Sequence, residues 1–289
     1  MIPGEFDYTR PGDLGTVLKV LKDRGGEAKL LAGGHSLLPL LKFRLAAPEV
    51  LVDLRGIPGL DMISEVDGEL RIGGLATHRQ ILDHEIIARY PMLHDTAGGI
   101  GDPQVRNWGT IGGSCAHADP ASDWPAVLLA AHASIVCRSQ DGERVIVARD
   151  FFLDTFSTAI EPTEILTEIR FPKRPSGAGG AYCKLERRAG DFASVGVAAR
   201  LRLADGKIAD AGLGLTAVAD TPFAATDAEA ILIGADPSDE AFAAAAAAAA
   251  AQSRPTTDGH GPAEYKRAMV VEITNRALRI ALERATANA

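Results

Sequence analysis

The feature that most restricts how this chain can fold is a Gly-Gly pair set between an apolar run and a leucine-rich one, Lys29-Leu30-Leu31-Ala32-Gly33-Gly34-His35-Ser36-Leu37-Leu38-Pro39. Without a β-carbon at Gly33 and Gly34 the chain can turn through positive φ, and an outside group can come close to the backbone. The order of residue types predicts a strand, a tight corner and a helix capped by Ser36, with Pro39 in the first turn, where a missing N–H costs little. Such a corner offers free N–H groups and the positive end of a helix dipole to an anion. Taken alone, it is more simply a tight turn. A second pair, Thr110-Ile111-Gly112-Gly113-Ser114, repeats the device, and after a short loop Ser122 or Asp123 is placed to cap a helix running from Trp124-Pro125 to Ala131. Two corners predict two anchors on one elongated anionic ligand, for which the pyrophosphate of a dinucleotide has the natural size.

Several classes of function drop out on composition. A formal net charge of −8 over 289 residues argues against a nucleic-acid partner, which needs a basic face. No apolar run is long enough to span a bilayer, the polyalanine stretch Ala243 to Ala251 being far too short, and Met1 to Thr9 lacks the pattern of a signal peptide, so the expected location is the cytoplasm. Cys115, Cys137 and Cys183 form no Cys-x-x-Cys pair, so no disulfide framework, iron–sulfur cluster or zinc site is written here. His117 with Asp119 is too small a set to hold a metal. The nicotinamide fingerprint Gly-x-Gly-x-x-Gly is missing from Gly98-Gly99-Ile100-Gly101-Asp102-Pro103 and from Gly212-Leu213-Gly214, and no phosphate-binding Gly-x-x-x-x-Gly-Lys-Ser/Thr occurs.

The length favours two domains. Leu14, Val17, Leu18 and Leu21 predict a helix from about Asp13 to Arg24, and the helix after the first corner should run from Leu37 to about Leu45, followed by a strand over Val50 to Leu54. Beyond Gly56 the texture becomes short β segments, Leu60 to Ile63 and Leu70 to Gly73, with Asp67-Gly68 as a hairpin turn. Thr77 reads as a helix N-cap, and a helical stretch from Ile86 to Tyr90 should end at Pro91. A hairpin over Ala133 to Ala148 and a strand from Glu164 to Phe171 follow. Pro172 to Gly180 is the best linker. After it come a hairpin around Asp205-Gly206, with Ala211 to Thr216 low in bulk, and three helices, Asp227 to Ile233, Ser238 to Gln252 and Ala263 to about Thr286.

The runs Ala32 to Pro39, Thr110 to Ser114 and Asp119 to Asp123, followed by Tyr182-Cys183-Lys184-Leu185-Glu186-Arg187-Arg188, Gly190-Asp191-Phe192 and Tyr265-Lys266-Arg267, closely resemble the FAD-binding medium subunit of carbon monoxide dehydrogenase-like molybdenum hydroxylases, a family that includes the xanthine dehydrogenase flavin domain. The resemblance spans nearly the whole chain. It implies an α+β protein: a two-lobed vanillyl-alcohol-oxidase-type (PCMH) FAD-binding domain over 1–175, with lobes of about 1–56 and 57–175, then a flavoprotein C-terminal domain over 176–289 with a small antiparallel sheet and a helical bundle. Carried over by position, Ala32, Gly33, Gly34, His35, Ser36 and Leu37 would hold the FAD pyrophosphate from one side and Thr110, Ile111, Gly112, Gly113 and Ser114 from the other. Asp123 would bond toward the adenosine ribose, and Ile100 and Leu166 would lie along the dinucleotide. Lys184 would sit near the flavin's polar edge, with Asp191 and Phe192 beside the isoalloxazine. Ser114 stands where the family often has Asn or Asp, a longer hydrogen-bonding group.

The implied function is electron transfer through FAD, with no catalytic residue and no metal on this chain. A small [2Fe-2S] subunit would deliver electrons and a large molybdenum-cofactor subunit would hydroxylate the substrate, the whole forming a dimer of heterotrimers. The absent cysteine ligands fit that division of labour. Bland readings stand beside these assignments: Lys184 as a surface charge, Asp123 as a helix cap, Asp191 as a turn residue. Two other functions remain open, a stand-alone flavin-dependent oxidase of a small organic substrate and a non-catalytic nucleotide-binding module.

Overall fold

The computed structural model describes residues 2–288. Strands Asp7–Thr9, Val50–Asp53 and Ala28–Leu31 form a parallel sheet in that spatial order. Parallel neighbours need crossovers, supplied here by helix Leu14–Arg24 and the short helix Leu37–Lys42. Asp13 caps the first helix, its carboxylate accepting from the Thr16 N–H at 2.8 Å. Val17, Leu18 and Leu21 pack with Val50 and Val52 to make the core of this first lobe.

The second lobe is an antiparallel sheet in the order Ile63–Val66, Glu69–Gly73, Ile165–Phe171, Ser134–Ser139, Gly142–Val147. Its first hairpin turns at Asp67 and Gly68, both at positive φ (53° and 81°), as a two-residue turn matched to strand twist requires. Every residue of helix Asp123–Ala130 is buried, Trp124 being the largest side chain among them.

A third, antiparallel sheet follows the linker: Ala178–Leu185, Val195–Ala204, Lys207–Thr216 and Phe223–Ala224. Helices Thr226–Leu232, Asp239–Gln252 and Ala263–Thr286 complete this part, and the last of them lies directly on a strand. A β-carbon on Gly179 would stand 2.2 Å from the Ala285 nitrogen. The alanine run buries Ala245, Ala246, Ala249 and Ala250, so its small side chains serve close packing. The low bulk of Ala211 to Thr216 has a similar cause. β-Carbons on Gly212 and Gly214 would stand 2.0 and 1.9 Å from the carbonyls of Ala130 and Ala126, so helix Asp123–Ala130 presses its backbone onto this sheet. No helix among the described residues is long and apolar enough to cross a membrane.

The structure corrects several local expectations. Ser36 makes no capping bond; the Gly34 carbonyl, not the Ser36 side chain, meets the new helix by accepting from the Leu38 N–H at 2.9 Å, and that helix ends at Lys42. Pro91 opens a helix, Pro91–Gly99, instead of ending one, because proline needs no N–H partner in a first turn. The second Gly-Gly pair is not a strand-to-helix corner. Gly112 and Gly113 lie inside helix Ile111–His117, which Thr110 caps, its hydroxyl accepting from the Gly113 N–H at 3.1 Å. Neither Ser122 nor Asp123 caps the following helix, since both side chains have other partners. Leu60 and Asp61 precede the first antiparallel strand, which starts at Ile63, and the predicted linker gives way to strand at Ala178.

Candidate cofactor site

The two glycine segments are in direct contact. A β-carbon on Gly33 would stand 2.0 Å from the Trp108 carbonyl, and one on Gly113 would be 3.8 Å from the Ala32 methyl. Glycine at 33 is thus required first by the neighbouring chain. Gly34 adds the turn itself, at φ +79°. The groove beside this contact has a volume of about 620 Å³ and is lined by Ala32, Gly33, Thr77, Thr110 and Trp108, with Arg55 and Arg79 at its wall; that size lies within the usual range for small-molecule sites.

The segments differ in what their backbones offer. Among the described residues, the N–H groups of Gly33, Gly34, His35, Ser36 and Leu37 donate to no protein acceptor. Five successive donors around a positive-φ turn make a concave, anion-seeking cradle. In the second segment the donors are spent. Ile111 and Gly112 donate to the Ala76 and Gly74 carbonyls, both at 3.0 Å, Gly113 to Thr110 Oγ1, and Ser114 to the Thr110 carbonyl at 3.0 Å. The Ile111 side chain is buried in the core, and Ser114 Oγ sits 2.6 Å from Ser122 Oγ. What remains facing the groove is the Thr110 lining and the helix end.

Beyond the corners runs a strip, Gly98 to Gly101, whose four successive carbonyls are held by two cations. Arg106 Nη1 donates to Gly98, Ile100 and Gly101 at 3.3, 3.0 and 2.9 Å, and Lys184 Nζ donates to Gly99 at 3.2 Å. These carbonyls close helix Pro91–Gly99, where cations complement the negative end of the dipole. A β-carbon on Gly99 would meet no protein atom within 4 Å, so that backbone face is open. Gly190 presses on the same strip: its β-carbon would be 2.8 Å from the Gly101 carbonyl. Ile100, Lys184 and the Asp191–Phe192 loop are therefore gathered at one place. Phe192 is half-exposed there, while the Asp191 carboxylate accepts from the Phe192 N–H at 2.9 Å. Leu166 lies at a β-bulge against Gly74 and is almost fully buried.

Asp123 and Lys184 meet in a buried ion pair at 3.2 Å, and Tyr182 donates its hydroxyl to the other Asp123 oxygen at 2.5 Å. Burial pushes the Asp123 carboxyl above the ordinary carboxylate range, against the pull of Lys184 and Tyr182. The pairing makes Asp123 and Lys184 one buried unit, where the sequence reading gave them separate parts.

Sequence reasoning missed two residues, one packed on Gly109 and one holding the strip. His78 is buried, its Nδ1 accepting from the Trp124 indole N–H at 3.1 Å; desolvation, with the charges of nearby His35 and Arg106, pulls its pKa down to about 3, so it stays neutral. Its ring also explains Gly109, whose β-carbon would be 2.8 Å from Nε2. Arg106 is the second. Neither had a sequence signal, because their partners are set by tertiary contact. On the outer wall Arg55 binds Asp53 and stacks over Trp108, 5.2 Å from the ring centroid. Among the described residues no cluster of acids, cysteines and histidines could hold a metal ion.

Residues 4–174 match the model for the FAD binding domain in molybdopterin dehydrogenase, and residues 180–281 match that for the CO dehydrogenase flavoprotein C-terminal domain. The carbon monoxide dehydrogenase medium chain of Afipia carboxidovorans is 42% identical, the match covering 100% of this chain and 99% of that one. A subunit of the 6-hydroxypseudooxynicotine dehydrogenase complex of Paenarthrobacter nicotinovorans is 38% identical over 99% of this chain and 97% of its own. A chain of reconstituted CO dehydrogenase from Oligotropha carboxidovorans superposes with a TM-score of 0.95 at 42% identity, covering 98% of this chain and 100% of that one.

Proposed function

The chain belongs to the FAD-binding subunits of molybdopterin dehydrogenases, an oxidoreductase family whose cofactor is FAD, and from that premise we propose that it is the electron-relay subunit of a heteromeric molybdenum hydroxylase. The observation that carries this reading is the row of five unspent N–H groups from Gly33 to Leu37 beside a groove of about 620 Å³. The residues fit the cofactor: the cradle would hold the pyrophosphate, with Thr110 and the Gly112-Gly113 helix as its opposite wall. Leu166 would lie along the dinucleotide, and Ile100, Asp123, Lys184, Asp191 and Phe192 would surround the flavin end.

Bound FAD supplies the redox chemistry, accepting and releasing electrons singly or in pairs. The protein's own contributions are positioning and electrostatics. Arg106 and Lys184 fix the Gly98–Gly101 strip, Gly190 seats the Asp191–Phe192 loop upon it, and the buried Asp123–Lys184 pair supplies fixed charges. Electrons would come from a small [2Fe-2S] subunit, with hydroxylation on a large molybdenum-cofactor subunit and delivery to an external acceptor, in a cytoplasmic dimer of heterotrimers. On this reading residues 1–175 form the FAD-binding domain and 176–289 the flavoprotein C-terminal domain.

Co-expression with a small [2Fe-2S] chain and a large molybdenum-cofactor chain tests the relay. Substrate should bleach the flavin absorption only in the full complex. Bleaching of the isolated chain by an organic substrate would instead establish a stand-alone flavin oxidase.

A further inference from the structure

A third charged group, Glu186, stands beside the Asp123–Lys184 pair. Strand Ala178–Leu185 places Tyr182 and Lys184 on one face by its two-residue alternation, and Glu186 follows two residues later. Glu186 Oε2 lies 3.5 Å from Lys184 Nζ, on the ammonium that Asp123 Oδ2 approaches at 3.2 Å. That Glu186 oxygen is buried and receives no hydrogen bond. Asp123, by contrast, is fully engaged, with Tyr182 on one oxygen and Lys184 on the other. Two carboxylates thus answer one ammonium, and the second is held by charge alone. An unbonded buried oxygen contributes little to structure and costs desolvation, so its effect is on the local field.

We propose that Glu186 is a potential-setting residue of the cofactor site: its carboxylate offsets the charge of Lys184, so a flavin seated beside Lys184 is harder to reduce and passes its electrons on more readily. The inference rests on the flavin-relay reading above. Its physical basis is that charge near the flavin ring tunes the cofactor's electronics, and that such charge acts strongly where water is excluded. Glu186 touches Lys184 and acts through it, as a positioning residue of the field.

The experiment is a spectroelectrochemical titration of the FAD-loaded full chain at neutral pH. Glu186→Gln should favour the reduced flavin about tenfold or more, a rise of about 30 mV for a two-electron couple. Glu186→Asp, which keeps the charge, should stay near wild type. A Gln variant with the wild-type potential overturns the proposal, as does an equal rise in the Asp variant. Should the Gln variant lose flavin, Glu186→Ala is titrated in its place with the same rise expected, and loss of flavin from both makes the residue structural and likewise overturns it. A folded wild-type chain that takes up no FAD would instead sink the relay reading.

Discussion

Gly33-Gly34 and Gly112-Gly113 look alike on the page and do different work in the fold. The first pair is a true corner: Gly34 turns through positive φ, and the five donors from Gly33 to Leu37 stay open. The second is a helix start whose donors are consumed by Ala76, Gly74 and Thr110. Its glycines answer the protein, Gly112 lying where a β-carbon would be 2.5 Å from the Gly74 carbonyl. The lesson is that a glycine pair signals close approach, while the identity of what approaches is read only from the unspent hydrogen bonds. One pair makes a cradle and the other a wall.

Substitution at the first pair should have the largest effect. Gly33→Val drives a side chain into the Trp108 carbonyl, 2.0 Å from the β-carbon, which separates cradle from wall. We expect loss of FAD affinity by about a hundredfold or more and destabilisation of about 3 kcal/mol, read by flavin content and by denaturant midpoint. Near-wild-type flavin content in a folded variant would break the comparison. Gly112→Ala should cost about 2–3 kcal/mol through overpacking against Gly74, yet leave the flavin bound per folded chain near wild type. Equal flavin loss at both sites would erase the distinction.

The first lobe carries a pH limit that sharpens the same contrast. Although burial raises the Asp53 pKa, hydrogen bonds from Arg55 and Tyr8 prevail and hold it at about 2. A lowered folded pKa gives stability that is complete above the unfolded value of about 3.9 and lost as pH falls toward 2, amounting to about 2 kcal/mol. Acid unfolding followed by circular dichroism should therefore show a step in that window. Asp53→Asn should remove the step and lower neutral-pH stability by a similar amount; an unchanged acid profile would show that the pair is not coupled to folding.

Two smaller effects complete the comparison. Thr110→Val deletes the cap that satisfies the Gly113 N–H and should cost about 1 kcal/mol, measured by thermal unfolding. Ser36→Ala should cost under about 0.5 kcal/mol in the same measurement, since no capping bond is lost. A Ser36 cost equal to that of Thr110 would make the first pair an ordinary capped helix.

How much of this was legible depended on the range of the interaction. The Asp67-Gly68 hairpin, the Thr77 cap and the period of Val17, Leu18 and Leu21 are local, and they emerged where the sequence placed them. The family resemblance likewise rested on continuous runs and held along the chain. Helix Ile111–His117 was hidden because an apolar residue before Gly-Gly reads equally as strand or as helix start; only the carbonyls of Ala76 and Gly74 decide between them. The partnership of Asp123 with Lys184 spans 61 positions, and His78 finds Trp124 across 46. Such contacts leave no local pattern.

The most direct measurement is the FAD content of the purified full chain, by visible absorption of the folded protein and of the cofactor released on denaturation. One FAD per folded chain, falling to background in Gly33→Val and retained in Gly112→Ala, is the predicted result. A folded wild-type chain that neither carries FAD nor takes it up when supplied would contradict the account.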